Sequence, residues 1–282
     1  MSTVAVIGLG AMGSRIALRL LDAGHELVVW NRDSSKSALL ARRSAAVAAS
    51  PAEAAARADI VITMVSDPPA LRQVTEGPDG VAAGASGSTT VVQMSTVGPD
   101  AVTRLASALP QGVVLLDAPV LGSIAEAEAG TLTIFAGGPG PVVERTKPLL
   151  SALGTVLHVG PLGAGSAAKL VANSTLFGVL GVLGEVLLLA RRLGLTQSAA
   201  FQVLAATPLA AQAERRRPAI QSGEYPARFP LALARKDADL ILAAGGPDLR
   251  LATAARAWLA EAEAQGRGRD DYSAVLARML EP

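Results

Sequence analysis

Two residues that could serve a carbonyl reaction, Lys169 and Asn173, lie four positions apart in a largely apolar stretch. The chain prefers arginine, and its only lysines are Lys36, Lys147, Lys169 and Lys236. Lysine, unlike arginine, can release its proton when it is buried or placed near a cation. On a helix the two side chains would share one face, where an ammonium could protonate a carbonyl oxygen that the amide orients. The spacing therefore predicts either an acid/base pair or an ordinary solvated lysine at a helix start.

A glycine-rich turn provides the second chemical signal. It follows the apolar residues 4–7 and opens a helical pattern over residues 14–21. In such a turn the first glycine permits the tight bend, the second lets a pyrophosphate approach the backbone, and the third lets helix and strand pack closely. The helix N-terminus then directs unpaired N–H groups towards the phosphates. The pattern predicts dinucleotide binding rather than a merely structural turn. The predicted cofactor residues are Gly8, Leu9, Gly10, Ala11, Met12 and Gly13.

The end of the second predicted strand, residues 26–30, bears on the choice of nucleotide. NAD-binding versions of this turn carry an acidic residue there, which accepts hydrogen bonds from the ribose hydroxyls. Here Asn31 and Arg32 occupy the place, and a guanidinium suits a phosphate. We therefore expect both residues to bind the cofactor, and NADP (NADPH) to be preferred over NAD. The alternatives are that Arg32 is a solvated surface charge and that Asp33 accepts the ribose of NAD.

The order of the predicted elements gives the fold class. Strand and helix patterns alternate through residues 1–162, which is typical of an α/β protein with a doubly wound, mostly parallel sheet. Beyond a Gly-Pro-Leu-Gly turn at residues 160–163 only helical patterns follow. We therefore expect an NADP-binding domain at residues 1–162 and an all-helical substrate and dimerisation domain at residues 163–282. The predicted helices of the second domain cover residues 164–192, 197–206, 231–244, 251–264 and 272–280.

Composition argues against several classes of function. The net charge is +1 and aromatic residues make up 3% of the chain, which argues against nucleic acid as a partner. The absence of cysteine excludes disulfides and thiolate catalysis, and two histidines are too few for a histidine-based metal site. Polar residues interrupt the apolar stretch at residues 170–190, so we expect a buried helix of a soluble protein and no membrane partner. No targeting signal is recognisable, which favours the cytoplasm.

Several motifs, in order, resemble those of the β-hydroxyacid dehydrogenase family, which includes 3-hydroxyisobutyrate dehydrogenase and the glyoxylate/succinic semialdehyde reductases. The resemblance covers nearly the whole chain, and ordered motifs are far more specific than one glycine turn. The motifs are the glycine turn at residues 8–13, Gln93-Met94-Ser95-Thr96, Asp117-Ala118-Pro119-Val120-Leu121-Gly122-Ser123, the segment 163–173 that contains Lys169 and Asn173, and Lys236-Asp237.

The resemblance implies an N-terminal Rossmann domain, a long interdomain helix and an all-α C-terminal domain, assembled as a homodimer or homotetramer. It also implies an NADP-dependent oxidoreductase that interconverts a hydroxy acid and its aldehyde or oxo acid by hydride transfer, with a small molecule as its substrate. By resemblance Lys169 is the catalytic acid/base, and Asn173 helps to hold the substrate. The other implied contacts are Val65, Ser66, Thr96 and Lys236 for the cofactor, and Gly122 and Ser123 for the substrate.

One departure from the family pattern concerns the substrate. Leu121 stands where the family usually has a serine, whose hydroxyl would bond the substrate carboxylate. A lost hydrogen bond to a charged group weakens binding by about 1.5–3 kcal/mol, so we expect a substrate bulkier or less anionic than a small 3-hydroxy acid. Leu121 also leaves an NADPH-dependent imine reductase open, although such enzymes generally replace the lysine that is kept here as Lys169. A non-catalytic cofactor-binding domain is the remaining alternative, and Lys169 again argues against it.

Overall fold

The computed structural model of the chain describes residues 2–280. It has two compact units, Met1–Leu170 and Val171–Pro282. The first unit is built on one nine-stranded sheet with helices, and the described part of the second unit consists of helices and their connections. This is a mixed α/β protein with a Rossmann-like first part and a helical second part. The fold class predicted from the sequence is therefore confirmed.

Nine strands form the sheet of the first unit. They are β1 (Thr3–Ile7), β2 (Glu26–Trp30), β3 (Ala46–Val47), β4 (Ile60–Thr63), β5 (Thr90–Gln93), β6 (Val114–Asp117), β7 (Val120–Leu121), β8 (Leu132–Gly137) and β9 (Gly154–Gly160). Their order in the sheet is β3-β2-β1-β4-β5-β6-β8-β7, and β9 pairs with β8. The pairs from β3 across to β6 are parallel, whereas β8 is antiparallel to β6 and β7. The sheet is thus mostly parallel, as predicted.

Alternation along the strands supplies a hydrophobic core on each face of the sheet. In β1, Val4 and Val6 belong to one core, and Ala5 and Ile7 belong to the other. All four side chains are fully buried. Successive side chains of any strand point to opposite faces, so a strand that is covered on both faces needs an apolar run rather than an alternating pattern. The run at residues 4–7 meets this requirement and marks β1 as a central strand.

The helices of the first unit include several that begin at a capping side chain. They are α1 (Ala11–Asp22), α2 (Ala38–Arg42), α3 (Pro51–Ala56), α4 (Pro68–Thr75), α5 (Val81–Gly84), α6 (Pro99–Ala108), α7 (Ile124–Ala129) and α8 (Gly140–Ser151). Ser50 accepts a hydrogen bond from the N–H of Glu53 at the start of α3. Asp67 does the same for the N–H of Ala70 at the start of α4. Both helices start with a proline, which suits the first helical position because no N–H is needed there.

A long helix, α9 (Ala164–Arg192), begins in the first unit and continues into the second. Its bounds are those predicted from the sequence. Among the described residues it is the one helix that is long and apolar enough to cross a membrane, but Phe177, Leu180 and Leu183 on it are buried, as in the core of a folded unit. The helices that follow are α10 (Gln197–Ala205), α11 (Ala210–Ser222), α12 (Leu231–Gly245), α13 (Arg250–Ala264) and α14 (Val275–Leu280).

The helix α11 is absent from the sequence prediction, which was wrong to leave residues 210–222 outside the helices. Its inward-facing residues include an arginine, so the apolar spacing that signals a helix is weak. Arg216 is buried, donates a hydrogen bond to the hydroxyl of Tyr272, and lies over that ring at 5.1 Å from its centroid. Pro218 lies inside the helix, and because proline is disfavoured in helix interiors, its presence argues against a helix in the sequence. The short elements β3, β7, α5 and α7 were also not predicted.

We expect Gly13→Ala to destabilise the first unit and Gly10→Ala to leave its stability nearly unchanged. A Cβ on Gly13 would lie 2.0 Å from the carbonyl oxygen of Gly8, whereas a Cβ on Gly10 would meet nothing within 4 Å. Because the backbone must move to relieve the first contact, the loss should be about 2–4 kcal/mol for Gly13→Ala and under about 1 kcal/mol for Gly10→Ala. Urea unfolding followed by circular dichroism measures both. Equal losses would contradict the close packing of α1 on β1.

Candidate active site

The predicted cofactor residues of the first unit lie at one edge of the sheet, where the parallel strands end. The neighbouring strands β2, β1, β4, β5 and β6 all present their carboxyl ends at this edge. Chain order reverses between β1 and β4, and α/β proteins bind ligands in the crevice outside the carboxyl ends at such a switch point. The predicted residues that follow these strand ends are the turn at residues 8–13, Asn31, Arg32, Val65, Ser66 and Thr96.

The glycine turn between β1 and α1 has the shape that a phosphate requires. Gly8 has a φ of +97°, and a Cβ there would lie 2.3 Å from the carbonyl oxygen of Met64. Gly10 is exposed, and the space beside its Cα is open. Within the described residues no side chain caps α1, and its first turn contains no acidic residue. The N–H groups and the positive end of the helix dipole therefore suit an anion, and the turn fits the pyrophosphate of a dinucleotide.

The side chain of Asn31 braces this turn. Its Oδ1 accepts a hydrogen bond from the N–H of Leu9 at 2.8 Å, and its Nδ2 donates to the carbonyl oxygen of Asp33 at 2.9 Å. Both polar ends of the amide are therefore used inside the protein. Leu9 is buried and Met12 packs against the same core, whereas Ala11 is exposed at the start of α1. Leu9, Met12 and Ala11 have apolar side chains, so they offer a ligand only backbone polar groups.

Arg32 and Asp33, at the end of β2, differ in what their side chains contact. Arg32 is exposed and makes no hydrogen bond or ion pair with the residues that the structure describes. The carboxylate of Asp33 accepts hydrogen bonds from the hydroxyl of Ser35 at 2.6 Å and from its N–H at 3.1 Å. These bonds hold the pKa of Asp33 below its usual range. The guanidinium is thus open to a ligand, whereas the carboxylate already caps the 3₁₀ turn Ser34–Ser37.

The loops after β4 and β5 are joined by a serine that the sequence analysis did not assign to the site. The N–H of Val65 donates to Oγ of Ser95 at 2.8 Å. Ser66 is exposed and its hydroxyl donates to the carboxylate of Asp67 at 2.7 Å, while Thr96 is half-buried. Ser95 itself is completely buried. The signal that could have identified it is a serine two residues after the end of β5, within the motif Gln93-Met94-Ser95-Thr96.

Lys169 lies in the second turn of α9, and only 8% of its surface is exposed. The first turn of this helix is attached to the end of β6: Asp117 Oδ2 accepts from the N–H of Ser166 at 2.6 Å, and its Oδ1 accepts from the Ser166 hydroxyl at 2.9 Å. Burial raises the pKa of Asp117 to about 6, and hydrogen bonds from Ser166 and Gln93 oppose the rise. The sequence motif contains Asp117, but the residue's role was missed because Ser166 lies 49 positions further along the chain.

In the second unit, Asn173 is fully buried and bonded to an acidic residue that the prediction had not assigned to the site. Its Nδ2 donates to Oδ2 of Asp237 at 2.7 Å. Asp237 also forms an ion pair with Lys236, the predicted cofactor contact. The Oδ1 of Asn173 has no hydrogen-bond partner among the described residues. A buried acceptor without a donor is unfavourable, and a hydroxyl of a bound ligand would satisfy it.

The predicted substrate loop forms a helix cap. The N–H and the hydroxyl of Ser123 donate to Oε2 of Glu126 at 2.8 and 2.7 Å, as part of a capping box at the start of α7. Gly122 is exposed with a φ of +132°, and Leu121, the last residue of β7, is half-buried. The Ser123 donors that would serve a substrate carboxylate are therefore engaged by a carboxylate of the protein itself.

The acidic residues near the strand ends are bonded to serines and are not gathered into a metal site within the described residues. Residues 2–280 contain no group of three or more His, Cys, Asp or Glu side chains that could hold a metal ion. The carboxylates near the strand ends, Asp33 and Asp117, are both hydrogen-bonded to serines. Asp33 and Asp117 can offer hydrogen bonding, negative charge and proton transfer.

Comparisons with known proteins identify the family. Residues 3–160 match the family described as the NAD binding domain of 6-phosphogluconate dehydrogenase, and residues 163–279 match that described as NAD-binding of NADP-dependent 3-hydroxyisobutyrate dehydrogenase. The 3-sulfolactaldehyde reductase of Escherichia coli is 34% identical over 98% of this chain and 95% of its own length. The chain belongs to the β-hydroxyacid dehydrogenase family.

Solved structures agree with this assignment. The 3-hydroxyisobutyrate dehydrogenase of Mycobacterium tuberculosis with L-serine has a TM-score of 0.86 and 28% identity, and the alignment covers 100% of both chains. An imine reductase from Myxococcus stipitatus with NAD+ has a TM-score of 0.70 at 23% identity over 100% of both chains, which shows a shared fold alone. The β-hydroxyacid dehydrogenase described here is an NAD(P)-dependent oxidoreductase that acts on CH–OH groups. The family and the enzyme class expected from the sequence are confirmed.

We expect Asp117→Asn to remove a pH-dependent contribution to stability. Because the pKa of Asp117 rises from 3.8 in the unfolded chain to about 6 in the folded protein, the folded protein binds more protons between these two values. The free energy of unfolding of the wild type, relative to that of the variant, should therefore fall by about 3 kcal/mol as the pH rises from about 4 to about 6.5. Urea unfolding across this range measures the difference, and a difference that does not vary with pH would contradict the raised pKa.

Proposed function

We propose that this β-hydroxyacid dehydrogenase is NADP-dependent, is similar to 3-hydroxyisobutyrate dehydrogenase, and interconverts a hydroxy acid and its aldehyde or oxo acid by hydride transfer. The observation that carries the proposal is that Lys169 alone among the four lysines is buried. Burying an ammonium is unfavourable unless it is compensated, and lysines in such surroundings are candidates for proton transfer. Residues 1–162 bind NADP in this proposal, and residues 163–282 supply substrate contacts and the dimer interface.

The roles of the protein's own groups follow from their chemistry. When bound, the nicotinamide cofactor supplies or accepts the hydride. In the reductive direction Nζ of Lys169 gives a proton to the substrate oxygen as the carbonyl carbon receives the hydride, and in the oxidative direction the neutral amine takes that proton back. Asn173 Oδ1 accepts a hydrogen bond from a substrate hydroxyl. Lys236, held by its ion pair with Asp237, brings a positive charge to the cofactor.

Two features of the β2 edge support NADP over NAD. The guanidinium of Arg32 is exposed and unbonded within the described residues, so it is ready to pair with a 2′-phosphate. The Asp33 carboxylate would have to accept the ribose hydroxyls of NAD, and its Oδ1 already accepts two hydrogen bonds from Ser35, which hold the side chain on the 3₁₀ turn. Asn31 acts indirectly in this proposal, by holding the turn that receives the pyrophosphate.

The substrate loop supports a substrate that is bulkier or less anionic than a small 3-hydroxy acid. Leu121 supplies no hydroxyl, and the donors of Ser123 are engaged by Glu126. These two features also favour the second candidate, an NADPH-dependent imine reductase, whereas the buried Lys169 favours the hydroxy acid. A non-catalytic cofactor-binding domain is the weakest candidate, since it has no use for a buried lysine. The named relatives suggest 3-sulfolactaldehyde and L-serine as test compounds.

We propose a cytoplasmic homodimer or homotetramer with small-molecule ligands and without nucleic-acid or membrane partners. The exposed side of α9 supports the assembly, because Val171 and Leu189 on the helix and Leu193 directly after it are large apolar residues that are 68%, 54% and 71% exposed. Apolar surface of this kind marks interaction sites in many proteins. Light scattering with size-exclusion chromatography reports the assembly size.

We expect Arg32→Ala to weaken NADPH binding far more than NADH binding. Loss of a charge-assisted contact with a phosphate should reduce the affinity for NADPH by about 10- to 100-fold and leave that for NADH within about threefold. Fluorescence titration with both cofactors measures the ratio. Arg42→Ala is the matched control, because Arg42 is also exposed and unbonded within the described residues. An equal loss of affinity for NADPH and NADH would contradict the proposed contact between Arg32 and the 2′-phosphate.

We expect Lys169→Ala to lower kcat by about 10²–10⁴-fold, which is the usual contribution of a positioned acid or base, while NADPH binding persists. NADPH consumption is followed with glyoxylate, succinic semialdehyde, 3-sulfolactaldehyde, uncharged aldehydes and a cyclic imine, and NADP reduction is followed with L-serine. Lys147→Ala is the control, since Lys147 is exposed and paired only with Glu144 among the described residues. An unchanged kcat in Lys169→Ala would remove the acid/base role, and turnover of the imine alone would replace the hydroxy-acid assignment.

A further inference from the structure

Four buried polar side chains lie between the strand ends of the first unit and the start of α9. Gln93, Ser95 and Asp117 are fully buried, and Ser166 is 2% exposed. Polar groups removed from water are unfavourable unless they bond one another, and a partly satisfied group of this kind is less stable than an apolar core. We therefore expect these four buried polar residues to be joined by hydrogen bonds.

The four residues form two groups of hydrogen bonds that meet at the Asp117 carboxylate. Asp117 accepts from the N–H and the hydroxyl of Ser166, and the side chain of Gln93 is near enough to lower the pKa of the same carboxylate. The Nε2 of Gln93 donates to the carbonyl oxygen of Ser95 at 3.0 Å, and the N–H of Ser95 returns a hydrogen bond to the Gln93 Oε1. The Oγ of Ser95 then accepts from the N–H of Val65. The set thus reaches from a predicted cofactor loop to the first turn of α9.

The start of α9 lies directly against the strands. A Cβ on Gly165 would lie 2.4 Å from the carbonyl oxygen of Phe135 and 2.5 Å from that of Asp117. The N–H groups of a first helical turn have no partners within the helix, and a carboxylate at this end is favoured by the helix dipole. Asp117 therefore fixes both the position and the rotation of the first turn. Lys169 follows Ser166 by three residues, which is about one turn of the helix.

We propose that Asp117, supported by Gln93 and Ser166, is a positioning residue that sets the place of Lys169 relative to the strand ends that carry the cofactor loops. This inference rests on the acid/base role of Lys169 in the proposed function. Asp117 acts through Ser166 and the helix backbone. Burial raises the pKa of Asp117, and the described groups that lower it, Ser166 and Gln93, are uncharged. Lys169 is the nearest ionisable residue along α9.

The test compares Asp117→Ala, Asp117→Asn and Ser166→Ala with the wild type. A displaced catalytic group lowers kcat by about 10- to 100-fold, so Asp117→Ala should lower kcat by that factor with KM values within about threefold. Asparagine resembles the protonated carboxyl, since it keeps one acceptor and adds a donor. The kcat of the wild type should therefore decline below about pH 6 towards the value of Asp117→Asn, whose own kcat should not change there. Ser166→Ala should lower kcat by less than Asp117→Ala, since it keeps the N–H bond.

Ser50→Ala is the matched control for a merely structural effect. It removes a capping bond from α3 in the same unit, so it should lower the melting temperature without changing kcat or its pH profile. Hydrogen exchange at residues 164–170, measured by mass spectrometry, should increase in Asp117→Ala and stay unchanged in Ser50→Ala and Lys169→Ala. If Asp117→Ala does not fold, the kcat values and pH profiles of Asp117→Asn and Ser166→Ala decide the test.

The positioning role would be overturned if folded Asp117 variants kept the kcat and the hydrogen-exchange rates of the wild type. It would also be overturned if the fall in kcat below about pH 6 were still present in Asp117→Asn. The failure of the proposed function has a different signature. Full activity in Lys169→Ala would remove the acid/base assignment and this inference with it. A large loss in Lys169→Ala together with full activity in Asp117→Ala would overturn the positioning role alone.

Discussion

The hydrogen bonds between the buried carboxylate of Asp117 and Ser166 attach the start of α9 to the end of β6. Burial disfavours a charged group inside a sheet and raises the pKa of Asp117, and the hydrogen bonds from the N–H and hydroxyl of Ser166 oppose this effect. The N–H of Ser166 belongs to the first turn of α9, which needs an acceptor in any case. The same hydrogen bonds therefore give the carboxylate its donors and give the first turn of α9 its acceptor. We infer that they also set the position of Lys169, one turn further along the helix.

The start of α1 also has unpaired N–H groups, but no protein side chain among the described residues caps them. Its first-turn N–H groups meet no capping side chain within the described residues, and the backbone beside Gly10 is open. The neighbouring Asn31 satisfies only the N–H of Leu9, in the turn before the helix. One helix start in the unit is thus closed by a protein carboxylate, whereas another is left for the charge of a ligand. The start of α9 is therefore fixed by the protein's own groups, whereas the start of α1 is the proposed binding site of the pyrophosphate.

Local interactions explain what could be predicted from the sequence. The β1 strand, the glycine turn and the bounds of α9 depend on residues that are close in the chain. The features that were missed depend on distant partners: Ser95 bonds Val65 across 30 positions, and Arg216 bonds Tyr272 across 56. The second of these contacts makes α11 look polar in sequence although it is part of the core. Asn31 was placed correctly at the strand end, but its bonding to Leu9 requires the parallel pairing of β1 and β2.

The loop proposed to contact the substrate and the attachment of Lys169 are physically separate in this fold. Leu121 pairs with Thr133 of β8 through the backbone, so its side chain can change without disturbing the strand or the bond between Asp117 and Ser166. Glu126 closes the capping box of α7, and a glutamine would serve the cap equally well. Folding therefore does not require the negative charge of Glu126. In the proposed function, its presence beside Ser123 and the missing hydroxyl at Leu121 both act against a small substrate carboxylate at this loop, and neither feature alters the position of Lys169.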